Sequence, residues 1–487
     1  MRKTYLFVIL VISSISIKSF GQLDSFNLEQ YKNPFYKRQQ LDLNFNLNGS
    51  NGFNDLSYIN NPYRVSGSSL SGSVQGNYYF VENSLKKQTY WKMTLNEIPF
   101  FSYQKSKYDS DTAYSKTNSK RNQIAWNLQT YNRFYVTPAY FFEVDLNGSA
   151  SNDYDNYSLD YYAMNTNTQV GYDDSKTNNT ELSGELSLRI GRGRIEYVED
   201  ARLAVYILDD LRKHNRLSRT PTDEEILEFS KIITQVKNKR FFDARIRKIE
   251  EISTVDSFLV STNLINKSDA AYFTTLNDNW VNAAGPARQS GFRYSFGLTP
   301  SGLWAQWINK TNSSVFNYTN SNSIHNQREI GIAGNILIDY NKPISLKWQL
   351  DGGLNIAYKI YGEKNTYNYH DGNGVSSDNT HYKDLYGTLF ITLGFYPNSR
   401  TYFSGTTGLR SEYTENEQID PVSYHHYDKG LGPYLSFAGY YYISERLRLM
   451  ANYYFRYSSE EYSGSSYLSK YKSLNQNFSL SLSYAFF

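Results

Sequence analysis

The sequence predicts an all-β transmembrane protein: a 14-stranded antiparallel β-barrel with one α-helical insert between strands 6 and 7. Three observations predict it. Apolar and polar residues alternate with period two over many segments, which is typical of strands with one apolar and one wet face. Apolar residues recur at helical spacing only in the middle of the chain. The chain also holds 47 Tyr, 28 Phe and 6 Trp, and amphipathic rings favour the membrane interfaces of a barrel.

Residues 1–21 have the features of a cleaved secretory signal peptide. Arg2 and Lys3 form a positively charged start, Tyr5–Ile17 is mostly apolar, and small residues precede Gln22. A membrane anchor is the weaker alternative, because this apolar run is too short to span a bilayer comfortably. We therefore expect an exported protein. The chain has no cysteine, which excludes disulfides and thiolate metal sites.

Six strands are predicted in residues 40–195, after an N-terminal periplasmic segment at 22–39. In each strand, apolar or small residues alternate with polar ones. The positions that define the six strands are Leu41, Leu43, Phe45 and Leu47; Leu70, Val74, Tyr78 and Phe80; Trp91, Met93 and Leu95; Ile124, Trp126, Leu128 and Thr130; Phe142, Val144 and Leu146; and Leu182, Leu186, Leu188 and Ile190.

Eight further strands are predicted in residues 290–487, where the same alternation resumes. Turns with Pro343 or Pro397 separate two pairs of them, because proline fixes its φ angle and cannot donate to a strand ladder. The positions that define the eight strands are Phe292, Tyr294, Phe296 and Leu298; Ile330, Ile332, Ile336 and Ile338; Leu346, Trp348, Leu350, Leu354 and Ile356; Leu385–Phe395; a strand that ends near Leu409; Leu435, Phe437 and Tyr441; Leu447, Leu449, Tyr453 and Phe455; and Phe478, Leu480, Leu482 and Tyr484.

The strand count and the connections favour a membrane barrel over a soluble β-sandwich. Fourteen is an even number, as single-chain bacterial barrels require. Connections after strands 2, 4, 8, 10 and 12 look short, whereas those after odd-numbered strands look long and polar, as expected for periplasmic turns and outer loops. Many segments also exceed about nine residues, the length that crosses a bilayer obliquely. The insert, which follows strand 6, is therefore expected on the periplasmic side.

The last strand, Phe478–Phe487, is similar to the terminal strand of Gram-negative outer-membrane β-barrel proteins. It departs from them in one respect, since the alternation runs through Tyr484 and Phe486 and leaves Phe487 as an extra aromatic residue. The resemblance covers most of the chain outside the insert and is architectural. It implies residence in outer-membrane lipid and recognition by the barrel-assembly machinery through this strand, and it names no substrate.

The insert, residues 196–289, is predicted to hold four helices. Between Arg192 and Asp256, 27 of 65 residues are charged, which is typical of short amphipathic helices with solvated outer faces. Thr222 and Glu225 have the spacing of a capping box at the start of the second helix. The residues expected to face inward are Leu203, Ile207 and Leu211 in the first helix; Ile226, Phe229, Ile233 and Val236 in the second; and Phe242, Ile246 and Ile249 in the third, which should span 240–252. A weaker fourth helix is expected over 269–282.

Three roles of the insert stay open at this point. It can be a solvated periplasmic bundle without a binding role, a plug inside a wide lumen, or a docking surface for a periplasmic or outer-membrane protein. The first is favoured, because runs of charged residues are usually solvated faces.

No sequence motif indicates an enzyme, a cofactor or a metal site. The chain lacks Walker, GxSxG, HExxH and dinucleotide-binding patterns. His425, His426 and Asp428 are close together, but such loose spacing is nonspecific. Asp153, Asp155 and Asp160 could hold calcium, but they lack the glycine and the closing glutamate of a calcium loop. The net charge of +3 gives no reason to expect a nucleic-acid partner.

Charged residues of both signs occupy the polar face of the predicted strands, which favours a wet lumen. The candidate lumen-lining residues are Glu143, Asp145, Glu185, Arg189, Lys347, Asp351, Lys359, Arg446, Arg448 and Arg456. The sequence therefore predicts a porin-like passive channel for small hydrophilic solutes, gated or plugged by the insert. The alternative is a non-conducting accessory subunit of an envelope complex, and an outer-membrane hydrolase is the third hypothesis.

Overall fold

The computed structural model describes most of the chain, and the predicted signal peptide lies outside the described residues. The described ranges are 26–56, 63–108, 113–163, 165–239, 244–281, 287–314, 321–369, 374–420, 424–443, 447–464 and 467–484.

Fourteen strands form one antiparallel sheet, with the helical insert between the sixth and the seventh. The predicted fold class is therefore confirmed. The strands are Tyr36–Leu56, Tyr63–Asn83, Lys87–Tyr108, Ala113–Tyr135, Tyr140–Ala163, Gln169–Tyr197, Gln289–Ser313, Ser321–Pro343, Trp348–Tyr369, Val375–Asn398, Thr401–Asp420, Tyr424–Tyr442, Leu447–Gly464 and Tyr467–Tyr484, named β1 to β14 in this order.

The strands are much longer than a bilayer requires. They range from 18 residues in β13 and β14 to 29 in β6, whereas about 9–11 residues cross the hydrocarbon core. The expectation of long outer loops is wrong, because the polar stretches continue as paired strand arms. The β5–β6 ladder, for example, runs from Tyr140↔Arg192 to Tyr162↔Gln169. Both faces of such an arm can be polar, since beyond the membrane both faces meet water.

The sheet separates an apolar outer face from a polar inner face. Outward side chains near the middle of the strands are half exposed, such as Phe296 at 51%, Ile336 at 47% and Leu389 at 49%. Exposed apolar side chains on neighbouring strands form a belt suited to lipid. Among the described helices, none is long and apolar enough to cross a membrane.

β1 and β14 are the two ends of the strand order. Their outward residues are the most exposed of the belt, with Leu47 at 74% and Phe478 at 70%. Because the strand number is even, β1 begins and β14 ends at the same end of the barrel. That end carries the short turns and the insert, and it is the periplasmic end of such barrels.

The insert folds into the helices Glu199–Lys213, Asp223–Lys237, Ala244–Ser261 and Ala270–Val281, named α1 to α4. The capping box is confirmed: the Glu225 amide donates to Thr222 Oγ1 at 3.3 Å, and the Thr222 amide donates to Glu225 Oε2 at 2.9 Å. The predicted inward faces of α1 and α2 are buried.

The prediction for the third helix is wrong in its bounds and its face. Ile249 is 64% exposed, whereas Val255 and Leu259 are fully buried. Phe242 and the side chain of Ile246 lie outside the described residues. The helix runs on to Ser261, so its buried stripe is set by its C-terminal half.

The insert shares one apolar core with the chain that precedes β1. A short 3₁₀ turn, Leu28–Gln30, lies beside β7 and β8. The core also includes Leu346, from the turn between β8 and β9. Its other members include Phe26, Tyr31, Val198, Leu203, Ile207, Leu211, Ile226, Phe229, Ile233, Val255, Leu259, Tyr272, Leu276 and Trp280. We call α1–α4 together with residues 26–35 the periplasmic cap.

Candidate functional site in the barrel lumen

A polar cavity of about 750 Å³ lies in the barrel interior and is bordered by strands β3 to β9. Lys359 Nζ and Glu329 Oε1 form an ion pair at 2.6 Å on its wall. Within the described part of the chain, Ser301 Oγ and Asn147 Oδ1 are buried in this wall and have no hydrogen-bond partner. The remaining polar lining residues are Lys92, Thr94, Asn127, Gln129, Ser149, Ser183 and Glu185.

A buried ionic cluster lies towards the periplasmic end of β4, β5 and β6. Glu143 and Asp145 are 3% and 1% exposed. Arg189 Nε donates to Glu143 Oε1 at 2.7 Å, and the same guanidinium pairs with Asp145. Arg133 pairs with the other oxygen of Glu143. Two arginines thus neutralise two buried carboxylates, as buried charges require.

A second cavity of about 520 Å³ adjoins this cluster near the base of the insert, where Tyr197 and Gln289 line it. Arg133 belongs to both the cluster and the cavity wall. Tyr90 and Tyr131 pack at 6.1 Å between ring centroids. Arg293 donates to Asp339 Oδ2 from Nε at 3.1 Å on the same wall. The other polar or aromatic lining residues are Tyr36, Glu82, Asn83, Gln88, Thr89, Tyr197, Gln289, Asn341 and Phe390.

The end of β6 leans into the lumen beside this cavity. Gly193 has φ +102°, which favours glycine, and a Cβ there would lie 2.0 Å from a backbone oxygen of β7. The next residue, Arg194, donates to the backbone oxygen of Ser84 at 2.9 Å, in the turn between β2 and β3. Gln88 Nε2 donates to the Ile195 oxygen at 3.0 Å. These contacts join strands that are not neighbours in the sheet.

Arg288 anchors the cap to the turn between β8 and β9. Its guanidinium is fully buried and donates to the backbone oxygens of Leu346, Ser345 and Trp348 at 2.5, 2.8 and 2.9 Å. It also lies 4.8 Å from the ring centroid of Tyr396. Burial lowers the pKa of Arg288 to about 10, helped by the charge of Arg202, so the group stays protonated at neutral pH.

Other contacts fix the cap around the periplasmic mouth. Tyr206 donates to the Tyr396 oxygen at 2.8 Å, which joins α1 to β10. Asp278 of α4 pairs with Arg400, in the turn between β10 and β11. Within the cap itself, Tyr31 and Thr234 share a hydrogen bond of 2.6 Å, which joins the N-terminal segment to α2. The cap is therefore fixed to the ends of the neighbouring strands β8 to β11.

The structure brings five of the predicted residues into two groups. Glu143, Asp145 and Arg189 form the ionic cluster, and Glu185 and Lys359 line the central cavity.

The remaining predicted residues are scattered. Asp351 accepts from Gln349 at 2.7 Å near the cap, and Arg448 lies beside Tyr442. Arg456 lines a third cavity of about 230 Å³ with Arg410, Glu412, Asp428 and Glu460. Lys347 lies in the turn before β9 rather than on a strand. It was predicted on the strand because it alternates with Gln349 and Asp351, but the strand pairing ends before it. Arg446 lies outside the described residues.

Two important arginines were missed by the sequence analysis. Arg133 follows Tyr131 at the spacing of an inward-facing residue, so a longer reading of β4 would have found it. Arg288 has no signal in the sequence, because its partners are backbone oxygens about 60 residues away. Among the described residues, no group of three or more potential ligands could hold a metal ion.

No family model and no curated protein matches this sequence. Among solved structures, it is similar to the transport unit of the autotransporter AIDA-I from Escherichia coli, with 9% identity over 82% of this chain and 90% of that chain and a TM-score of 0.21. It is also similar to the outer membrane protease OmpT from Escherichia coli, with 10% identity over 72% of this chain and 97% of that chain and a TM-score of 0.19. A third similar structure is the ferric yersiniabactin uptake receptor FyuA from Yersinia pestis, with 6% identity over 92% of this chain and 73% of that chain and a TM-score of 0.29.

These similarities carry no argument about function. The class of the protein rests on its own architecture: 14 antiparallel strands, an outward apolar belt and a polar interior, which together are the features of an outer-membrane β-barrel.

Proposed function

We propose that the protein is an outer-membrane channel for small hydrophilic solutes and that the periplasmic cap gates it. The central cavity carries the proposal. Seven neighbouring strands contribute amide, hydroxyl and charged side chains of both signs to its wall, and such a wall suits water and small polar molecules rather than lipids or hydrocarbons.

The gating part of the proposal rests on the cap. Its contacts with the β8–β9 turn, β10 and the β10–β11 turn lie at the periplasmic mouth, and the ionic cluster and the end of β6 lie nearby in the interior. Solute exit into the periplasm then requires movement of the cap. An ion pair such as Asp278–Arg400 is partly exposed and is easier to break than the buried contacts of Arg288.

Single-channel conductance in planar bilayers tests the channel itself. The full chain is compared with a variant in which a short Gly-Ser turn replaces residues 198–287. Tyr197 pairs with Gln289 across the base of the insert, so such a turn is compatible with the barrel. We expect rare openings of the full chain and steady conductance of the deletion variant. If neither conducts while both migrate as folded, heat-modifiable barrels, the channel hypothesis is wrong.

Cross-linking tests gating separately. Because the chain has no cysteine, Asp278→Cys with Arg400→Cys can be joined selectively by a short bis-maleimide. We expect the cross-linked protein to lose its openings, whereas the single variant Asp278→Cys treated with the same reagent keeps them. Equal conductance of the two would place the cap outside the permeation path.

The second candidate is a non-conducting accessory subunit with the cap as its docking surface. Ile249, Val260 and Phe273 are 64%, 52% and 43% exposed on α3 and α4, and exposed apolar residues can mark a protein interface. Co-purification of a stoichiometric partner that is lost on deletion of residues 198–287 would favour this candidate.

A further inference from the structure

Two cations lie directly opposite each other on β8 and β9, towards the end of the barrel that is remote from the insert. Arg328 pairs with Lys364 in the strand register, and both residues are exposed. Each shares the period-two register of an outward apolar residue on its own strand, Ile330 on β8 and Ile360 on β9, so both side chains lie on the lipid-facing side of the sheet. Like charges directly opposite each other destabilise a sheet, so a bound anion would stabilise this pair.

The outward neighbours of this pair, all within the described ranges, include no carboxylate. The row of the sheet that contains the pair runs from Trp304 on β7 to Asn379 on β10. The adjacent outward rows consist of Gln306, Asn326, Thr366 and Ser377 towards the outer tips and of Gly302, Ile330, Gly362 and His381 towards the membrane. In the described part of the chain, neither cation forms an ion pair. Its neighbours on this face therefore leave the positive charge of the pair uncompensated, and such a surface attracts anions.

His381 adds a third polar group beside the pair. It lies opposite Gly362 on the outward face, and Gly362 precedes Lys364 by two residues. A Cβ atom at Gly362 would lie 3.5 Å from His381 Nδ1, so the imidazole ring lies beside the space that the glycine leaves open. Diagonal neighbours in a sheet are within reach of long side chains, so Lys364 and the ring can contact one ligand.

The pair lies just beyond the apolar belt on the outer side of the membrane. Ile330 and Ile360 are 60% and 47% exposed. Strands rise about 3.4 Å per residue, so Arg328 lies about 7 Å past Ile330 along β8, and Lys364 lies about 14 Å past Ile360 along β9. Trp304, opposite Arg328, is 39% exposed, and tryptophan is favoured at membrane interfaces. A lipid whose acyl chains cover the two isoleucines would therefore bring its head group to the two cations.

Another opposed pair, Lys105 and Lys116 on β3 and β4, has aromatic partners. The Nζ atoms lie 4.5 and 4.4 Å from the ring centroids of Tyr114 and Tyr162, and an aromatic ring stabilises a cation above its face. Within the described ranges, the β8–β9 pair makes no such ring contact. It is therefore the pair with more to gain from an anion.

We propose that Arg328, Lys364 and His381 bind a phosphate group of an anionic lipid in the outer leaflet. The guanidinium donates charge-assisted hydrogen bonds to the phosphate oxygens, and the ammonium supplies a second positive charge. The acyl chains lie against the outward apolar residues of β8 and β9. The proposal does not depend on whether the barrel conducts solutes.

Native mass spectrometry of the detergent-solubilised full chain tests the proposal. The probes are diphosphoryl lipid A, dioleoylphosphatidylcholine and soluble glucosamine 1-phosphate. The first carries phosphates on an acylated disaccharide, the second is a zwitterionic lipid, and the third has a sugar phosphate without acyl chains. The test variant is Arg328→Gln/Lys364→Gln.

The matched control is Lys176→Gln/Lys310→Gln. It removes the same charge from another opposed pair, on β6 and β7, and both of its lysines are exposed. Lys176 lies about 20 Å along β6 from Leu182 of the apolar belt, so this pair is too far from the membrane to hold a head group.

We expect the original chain and the control variant to retain lipid A much more tightly than phosphatidylcholine. The test variant should bind lipid A about 25-fold more weakly at low salt, since each basic residue near an anionic surface contributes about a factor of five. Removal of two opposed like charges relieves repulsion, so the test variant should fold, and heat-modifiable migration checks this for all three proteins.

Three outcomes would overturn the proposal. Equal retention of lipid A by the test and control variants would mean that Arg328 and Lys364 are not the site. Equal retention of lipid A and phosphatidylcholine by the original chain would mean that the apolar belt alone holds the lipid. Binding of glucosamine 1-phosphate as tight as that of lipid A would mean that the site serves soluble phosphates.

Discussion

Glu199, the first residue of α1, carries a buried charge without full compensation. Its Oε2 atom has no hydrogen-bond partner within the described part of the chain, and Asp200 beside it already pairs with Lys237 at 2.6 Å. Burial, and then the charge of Asp200, raise the pKa of Glu199 to about 7. The ionised form of this group therefore opposes the folding of the cap.

The pH dependence follows from the sign of that shift. A carboxyl group whose pKa is higher in the folded than in the unfolded state destabilises the fold when it is ionised. This loss of folding free energy grows from about pH 4 to pH 7 and is complete above pH 7. Glu199→Gln should therefore stabilise the cap at pH 8, on the order of 1–3 kcal/mol, and leave it unchanged at pH 4. Hydrogen exchange of α1 peptides, corrected for intrinsic rates, measures this.

The exposed Glu224→Gln on α2 is the control and should change little at either pH. Lower protection of α1 in the Glu199 variant at pH 8 would show that the carboxylate is stabilising, against this prediction.

At the scale of elements, the cap is attached to the barrel by few but well-buried contacts. Arg288 provides the donors for three backbone oxygens of the β8–β9 turn, and Leu346 of the same turn enters the core of the cap. A buried oxygen that loses its donor costs about 1–3 kcal/mol. The attachment therefore depends strongly on one side chain.

Arg288→Met should lower the free energy that holds the cap closed on the barrel by about 3 kcal/mol or more. The methionine side chain has a similar length to that of arginine but donates no hydrogen bond. Thermolysin cleavage within residues 198–287, measured on the folded barrel, should become at least tenfold faster. Lys213→Met removes only an exposed charge with partners on its own helix, so its effect should stay below about 1 kcal/mol. Similar cleavage rates of the two variants would contradict the anchoring role of Arg288.

At the scale of the whole molecule, one strand carries apolar side chains towards lipid and polar side chains towards the barrel interior. On β7, Leu298 is 55% exposed in the apolar belt, whereas Ser301 lines the polar central cavity. An arginine that faces lipid near the bilayer mid-plane costs about 2–4 kcal/mol, whereas a lumen with water and carboxylates can solvate it.

Leu298→Arg should therefore destabilise the protein by about 2–4 kcal/mol, and Ser301→Arg by less than about 1 kcal/mol. Urea unfolding in lipid vesicles, followed by tryptophan fluorescence, compares the two. Equal destabilisation would mean that the two residues do not face different solvents.

The sequence alone determined the parts of this protein that depend on local periodicity. Alternation marked the strands and most of their outward residues, from Leu41 in β1 to Leu482 in β14, because each lipid-facing position must be apolar wherever the strand lies. It failed locally at Leu346, which was predicted on a strand but lies in the turn before β9, and it placed the eleventh strand only by an end near Leu409, whereas β11 runs to Asp420. Helical spacing placed the insert, and the capping box of Thr222 and Glu225 was predictable because its partners are three residues apart.

Only the tertiary structure decided where the strands end, what the insert covers and which charges meet. Polar hairpin arms pair beyond the membrane without any apolar pattern, so the sequence suggested loops instead. Tyr31 meets Thr234, and Arg288 meets the β8–β9 turn, across long separations in the chain. Such contacts join residues that follow no period, and their energy comes from burial that exists only once the barrel has brought both ends together.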